Sequence, residues 1–149
     1  MKKIFIAATI ALSTVAASAL ELGVTAARDY AGSDRNTVGL TLGKTYGAFN
    51  VTAGFDQATR GNDNQNRVTL VGSYDVAKFG PVTVAGKVGV AYLDNQTSQN
   101  GYAALVGLGA SMPITKTVAA TADFTRQYGQ NRVSQFDGNR FTVGLRYSF

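Results

Sequence analysis

Apolar and polar residues alternate one by one along most of this chain. At its end, Phe141, Val143, Leu145, Tyr147 and Phe149 take every second position, with Thr142, Gly144, Arg146 and Ser148 between them. A period of two puts successive side chains on opposite faces of a β-strand. The same pattern recurs over residues 20–27, 37–46, 49–57, 67–76, 82–92, 102–112 and 117–128, so with 141–149 the sequence predicts eight strands. In each, one face collects Val, Leu, Phe and Tyr. The other collects Thr, Ser and Gly with a few charges: Glu21, Asp56, Asp75, Lys87, Asp123 and Arg146.

The connections alternate in length. Residues 46–49 carry Gly47 at the first loop position, which suits a type II′ hairpin. Residues 77–81 and 113–116 are also short, whereas 28–36, 58–66, 93–101 and 129–139 are longer and polar. Short turns at one end and long loops at the other predict an all-β, antiparallel up-and-down barrel of the outer-membrane type, with short turns and both termini in the periplasm. The strands approach the roughly 9–11 residues a tilted strand needs to cross a bilayer.

Alternation alone does not say which face is inside. A soluble barrel buries its large apolar residues, and a membrane barrel turns them out. An eight-stranded barrel has room inside only for side chains. Small polar residues and a few opposite charges fill that space better than the aromatics and the many Val and Leu of the other face. Turned toward water, that apolar face would far exceed the few hundred Å² of apolar patch a soluble monomer exposes. Tyr46, Phe49 and Phe149 fall at the short-turn end, and Tyr92, Tyr102, Phe124, Tyr128 and Phe141 toward the other, as two interfacial girdles would.

The N-terminus sets the compartment. Met1, Lys2 and Lys3 precede an apolar run through Ala16, and Ala17-Ser18-Ala19 has the small-x-small form of a cleavage site. Residues 1–19 are therefore expected to be a cleaved signal peptide, leaving 20–149 as one barrel domain. The formal charge of +5 includes Lys2 and Lys3 and leaves +3 for that domain, too weak a bias to indicate nucleic acid. With no cysteine, disulfides and thiolate chemistry are excluded.

The terminal strand resembles the C-terminal signal of outer-membrane β-barrel proteins, which end in Phe after alternating apolar residues; here these are Phe141, Val143, Leu145, Tyr147 and Phe149. The pattern of residues 20–149 as a whole is similar to the small eight-stranded barrel domains of the OmpA-type and OmpX-type, porin-like family. That resemblance implies insertion by the barrel-assembly machinery. It also implies outer-membrane lipid and lipopolysaccharide as surroundings, and a monomer. The soluble peptidoglycan-binding domain that many OmpA-type proteins carry is expected to be absent, because no residues follow Phe149.

Little points to catalysis. The enzymatic barrels of the outer membrane that use a catalytic histidine have no counterpart in a chain without histidine. A Ser-Lys device would need Lys87 beside Ser73. Residues 61–66 lack the ligand spacing and terminal Glu of a calcium loop, so no metal or cofactor is expected. The inward charges suit either a plug of salt bridges, with Glu21 and Arg146 at similar height, or a narrow polar pathway between them. Arg28 and Arg126 have outward parity beside the long connections, where a guanidinium either contacts lipopolysaccharide phosphates or snorkels to water. A non-enzymatic envelope or surface-interaction protein is the leading expectation, and a small diffusion channel the alternative. Protease applied to intact cells is expected to cut at Arg60 or Arg132; full protection at both would overturn this topology.

Overall fold

The computed structural model describes residues 20–31, 33–59, 65–95, 100–129 and 137–149. Residues 1–19, where a signal peptide is expected, and Arg60 and Arg132 lie outside the described residues. Eight strands form: β1 (Leu20–Ala31), β2 (Ser33–Tyr46), β3 (Phe49–Ala58), β4 (Gln65–Phe79), β5 (Val82–Asn95), β6 (Gly101–Pro113), β7 (Val118–Gly129) and β8 (Gly138–Ser148). Each pairs antiparallel with its sequence neighbours, and β1 pairs with β8 to close the barrel. The Phe149 amide donates to the Leu20 carbonyl at 3.0 Å, so the described chain ends meet at the short-turn end.

Several strands run further than the alternation of apolar residues. β1 and β2 stay paired up to Ala31 and Ser33, so the expected polar loop over 28–36 is largely a hairpin extension. β5 continues to Asn95, and β8 begins at Gly138 rather than 141. The 77–81 connection shrinks to Gly80 and Pro81, with Gly80 at φ +57°. Proline fixes a negative φ at the second turn position, so only the first can be left-handed, as in a II′ turn. Gly47 repeats this at φ +63°. The register of β4 slips once, between Asp75 and Ala77, which leaves Val76 unopposed as a bulge near that end.

The barrel is inside-out relative to a soluble one. Val88, Leu108 and Leu40 are 64%, 57% and 57% exposed on the outer face, whereas Glu21, Asp29, Asp56, Arg67, Gln127 and Arg140 are buried. Aromatic side chains meet at both ends of this outer belt. Tyr92 and Tyr102 lie 5.1 Å apart toward the long-loop end, and Tyr147 and Phe149 lie 4.9 Å apart at the other. Phe49 faces Tyr46 and Tyr74 in the neighbouring strands, and its ring covers Gly72.

The lumen is narrow enough that small inward residues are required. A Cβ at Gly109 would collide with the Asp123 carboxylate and the end of the Lys87 side chain. A Cβ at outward Gly86 would meet only Val76, at 3.8 Å. Gly109→Val is therefore expected to destabilise the barrel by roughly 1–3 kcal/mol, as overpacking does, and Gly86→Val by much less. Urea unfolding of the lipid-reconstituted variants checks the contrast.

Candidate functional site

The side chains with chemical capacity converge in the lumen, on strands that reach it from every side. Its long-loop half is organised by Asp29 of β1, which is 3% exposed. Arg67 of β4 grips this carboxylate with both terminal nitrogens, Nη2 to Oδ2 at 2.8 Å and Nη1 to Oδ1 at 3.4 Å. Arg140 of β8 donates through Nη1 to both oxygens, at 3.2 and 3.3 Å, and Gln127 of β7 donates to Oδ1 at 3.1 Å. The second arm of Arg140 reaches Asp56 of β3 at 2.9 Å and the Thr37 hydroxyl of β2 at 3.1 Å. Two carboxylates and two guanidiniums thus tie six of the eight strands together. The other side of this level is apolar: Ala91, Leu93, Ala103 and Leu105 of β5 and β6 are buried there, with Val71 against them.

Beneath this layer lies a cavity of about 310 Å³, of mixed polar and apolar lining, that reaches the short-turn end. Arg67, Arg140 and Leu105 form part of its inner boundary, and threonines of several strands line its wall. Lys87 of β5 donates to Asp123 of β7 at 2.6 Å, across the space that Gly109 leaves open. Near the mouth, Glu21 forms a salt bridge with Arg146 at 3.2 Å and accepts from Asn50 at 2.9 Å and Thr45 at 3.1 Å. Four acids (Glu21, Asp29, Asp56, Asp123) are thereby opposed by four cations, which leaves this set neutral. Neutrality matters because charges removed from water need compensation close by.

The structure places the six inward charges expected from sequence as follows. Glu21 and Arg146 pair near the mouth, and Lys87 pairs with Asp123. Asp56 belongs to the Asp29 cluster of the long-loop half, through Arg140. Asp75 lines the cavity but is exposed and makes no salt bridge among the described residues. Ser73 faces Lys87 in the register, yet the amine is directed to Asp123, so no Ser-Lys couple forms. No three of His, Cys, Asp or Glu converge as a metal site requires, among the described residues.

Asp29, Arg67 and Arg140, the centre of the arrangement, were absent from the sequence-based set. Asp29 fell in a segment assigned to a loop, and Arg140 lay just ahead of the last expected strand. Parity carried the signal: Asp29 shares a face with Thr25 and Glu21, and Arg140 with Thr142 and Arg146.

On the outer face, Arg28 and Arg126 are exposed near the long-loop end, each beside a tyrosine of its own strand. All five residues of the terminal motif, Phe141, Val143, Leu145, Tyr147 and Phe149, also face outward. Removing a single partner from a buried ion cluster leaves uncompensated charge. Asp29→Ala is therefore expected to cost about 3–5 kcal/mol, while exposed Asp75→Ala changes stability by about 0.5 kcal/mol or less. Equilibrium unfolding of both variants in urea measures the difference.

No family model matches the sequence, and no curated protein matches it either. Solved structures do match in fold. Neisserial surface protein A is similar with a TM-score of 0.59 and 12% identity, over 89% of this chain and 97% of that one. The outer-membrane protein Ail of Yersinia pestis is similar at 0.58 and 11%, over 89% and 100%. A major outer-membrane protein of Thermus thermophilus is similar at 0.58 and 17%, over 87% and 99%. At these identities the likeness establishes a shared architecture: this chain has the fold of small outer-membrane β-barrels.

Proposed function

We propose that this chain is a non-enzymatic integral outer-membrane barrel that supports envelope integrity or surface interaction through its long-loop end and outer rim. The inside-out distribution of side chains carries the proposal. Among the described residues nothing covers this outward apolar belt, and lipid is the solvent that would. Both chain ends and the short turns then face the periplasm. The outward terminal motif from Phe141 to Phe149 is the segment the insertion machinery would read. Absence of histidine from the sequence and engagement of Lys87 by Asp123 both speak against hydrolytic chemistry.

A channel is the second possibility, because the cavity of about 310 Å³ already extends through the short-turn half of the lumen. The Asp29–Arg67–Arg140–Asp56 cluster and the apolar Leu93–Leu105 side oppose it by filling the other half.

Two experiments test these points. Val88→Arg at the middle of β5 would be a mild surface change on a soluble protein. In a lipid-facing belt it is expected to cost about 2–4 kcal/mol. Unfolding of the variant in lipid vesicles decides the matter, and a change near zero would overturn membrane insertion. In planar bilayers the wild-type barrel is expected to pass no steady current. A steady current that changes in Lys87→Ala would put the channel first.

A further inference from the structure

The cavity in the short-turn half of the lumen has no part in the role proposed above. Its volume of about 310 Å³ falls at the lower end of the roughly 300–1,000 Å³ that small-molecule sites occupy. Arg67, Arg140 and Leu105 bound it on the inner side, and it reaches Gly47, Ala48 and Phe49 at the short-turn end. The space suits one small molecule entering from that end.

Much of its wall consists of unused hydrogen-bonding groups. Thr41, Thr69, Ser73, Thr83, Ser111 and Thr121 line it, and their hydroxyls make no hydrogen bond among the described residues. Arg67 and Arg146 line it too, and the Nε of each is buried without an acceptor among the described residues. A hydroxyl both donates and accepts, so such a wall matches a ligand that is itself rich in hydroxyls. Buried donors without acceptors cost free energy, which incoming oxygen atoms recover.

Charge singles out one position on this wall. Glu21, Asp29, Asp56 and Asp123 are each paired with a cation, and Asp75 is left over. The register gives the reason. Asp75 faces Ala85, and that row continues through Gly109 to Asp123. Lys87 lies two residues along β5 from Ala85, and its amine crosses the space at Gly109 to reach Asp123 at 2.6 Å, on the side away from Asp75. Only Ala85 and Gly109 separate the two acids along the row, so the wall beside Asp75 carries no bulky side chain. The Asp75 amide donates to the Ala48 carbonyl at 2.9 Å, which holds this residue at the mouth. After the bulge Lys78 comes into inward phase opposite Thr83, but it is exposed and makes no salt bridge with Asp75 among the described residues.

We infer that this cavity binds a small polyhydroxylated molecule carrying one amine, an amino polyol or amino sugar unit. Its hydroxyls pair with the threonine and serine wall, and its ammonium sits at Asp75. A carboxylate of the same size is disfavoured, because Asp75 repels it and Arg67, Lys87, Arg140 and Arg146 already hold carboxylates. Binding needs the closed barrel and not the envelope role. Under the topology proposed above, the ligand enters from the periplasm.

The test uses the full chain folded in phosphatidylcholine nanodiscs, where both barrel ends are accessible, with isotope-labelled threonine methyl groups read by NMR. It is titrated with glucamine, sorbitol and gluconate, which share one carbon skeleton and end in an amine, a hydroxyl or a carboxylate. Wild type is expected to bind glucamine about fourfold more tightly than sorbitol, as a solvent-screened charge pair allows, and gluconate more weakly than either. Shifts are expected at Thr69 and Thr121 in the cavity and not at exposed Thr115 beyond β6. Asp75→Asn is expected to bring glucamine down to the sorbitol value and leave sorbitol unchanged. Asp75→Lys is expected to reverse the order in favour of gluconate. Urea midpoints close to wild type for both variants confirm an intact barrel. No binding of sorbitol or glucamine, equal binding of the two by wild type, an undiminished preference in Asp75→Asn, or shifts at Thr115 as large as those at Thr69 would each overturn the inference.

Discussion

The lumen of an eight-stranded barrel is wide enough for side chains and little else. Inward charges away from the mouth are therefore taken out of bulk water, and their partners must come from other strands. In this chain Asp29 meets that requirement with donors from β4, β7 and β8, and Arg140 passes the connection on to β2 and β3. Closing the backbone ladder between β1 and β8 and neutralising the interior are consequently coupled. A barrel left open would strand the Arg140 guanidinium, which is 6% exposed in the closed form, away from both of its carboxylates.

The same narrowness explains the division of residues between faces. Thr, Ser and Gly point inward because larger groups would overfill the lumen, and Gly109 shows the limit, leaving just the room that Lys87 and Asp123 occupy. Most large apolar residues stand on the outer face, with Leu93 and Leu105 as exceptions inside the lumen. Because this rule concerns size and polarity, many sequences satisfy it. That accounts for the likeness to Neisserial surface protein A and Ail at only 11–12% identity.

The two halves of the lumen are built differently. Toward the long loops, buried ion pairs stand on one side and Leu93, Leu105 and their neighbours on the other. Toward the short turns, threonine hydroxyls and two isolated ion pairs line open volume. The outward surface around both halves is largely apolar. There, Arg28 and Arg126 each stand beside a tyrosine ring near the long-loop end.

Strand count, antiparallel order, the parity of each face, the tight turn at Gly47 and a short connection within 77–81 are all legible in the chain alone. They follow from local periodicity and from what glycine and proline permit. Glu21, Lys87, Asp123 and Arg146 could be assigned to the inside for the same reason, because each sits in the polar phase of a clear alternation. Strand ends were misjudged where that alternation stops. Backbone pairing continues through Asp29 to Ala31 and resumes at Gly138, since ladder hydrogen bonds do not require apolar side chains. Which charges meet is a property of the closed barrel alone. Arg140 and Asp56 are 84 positions apart, and the stagger of strands around the barrel sets their relative height, a quantity that no single strand encodes.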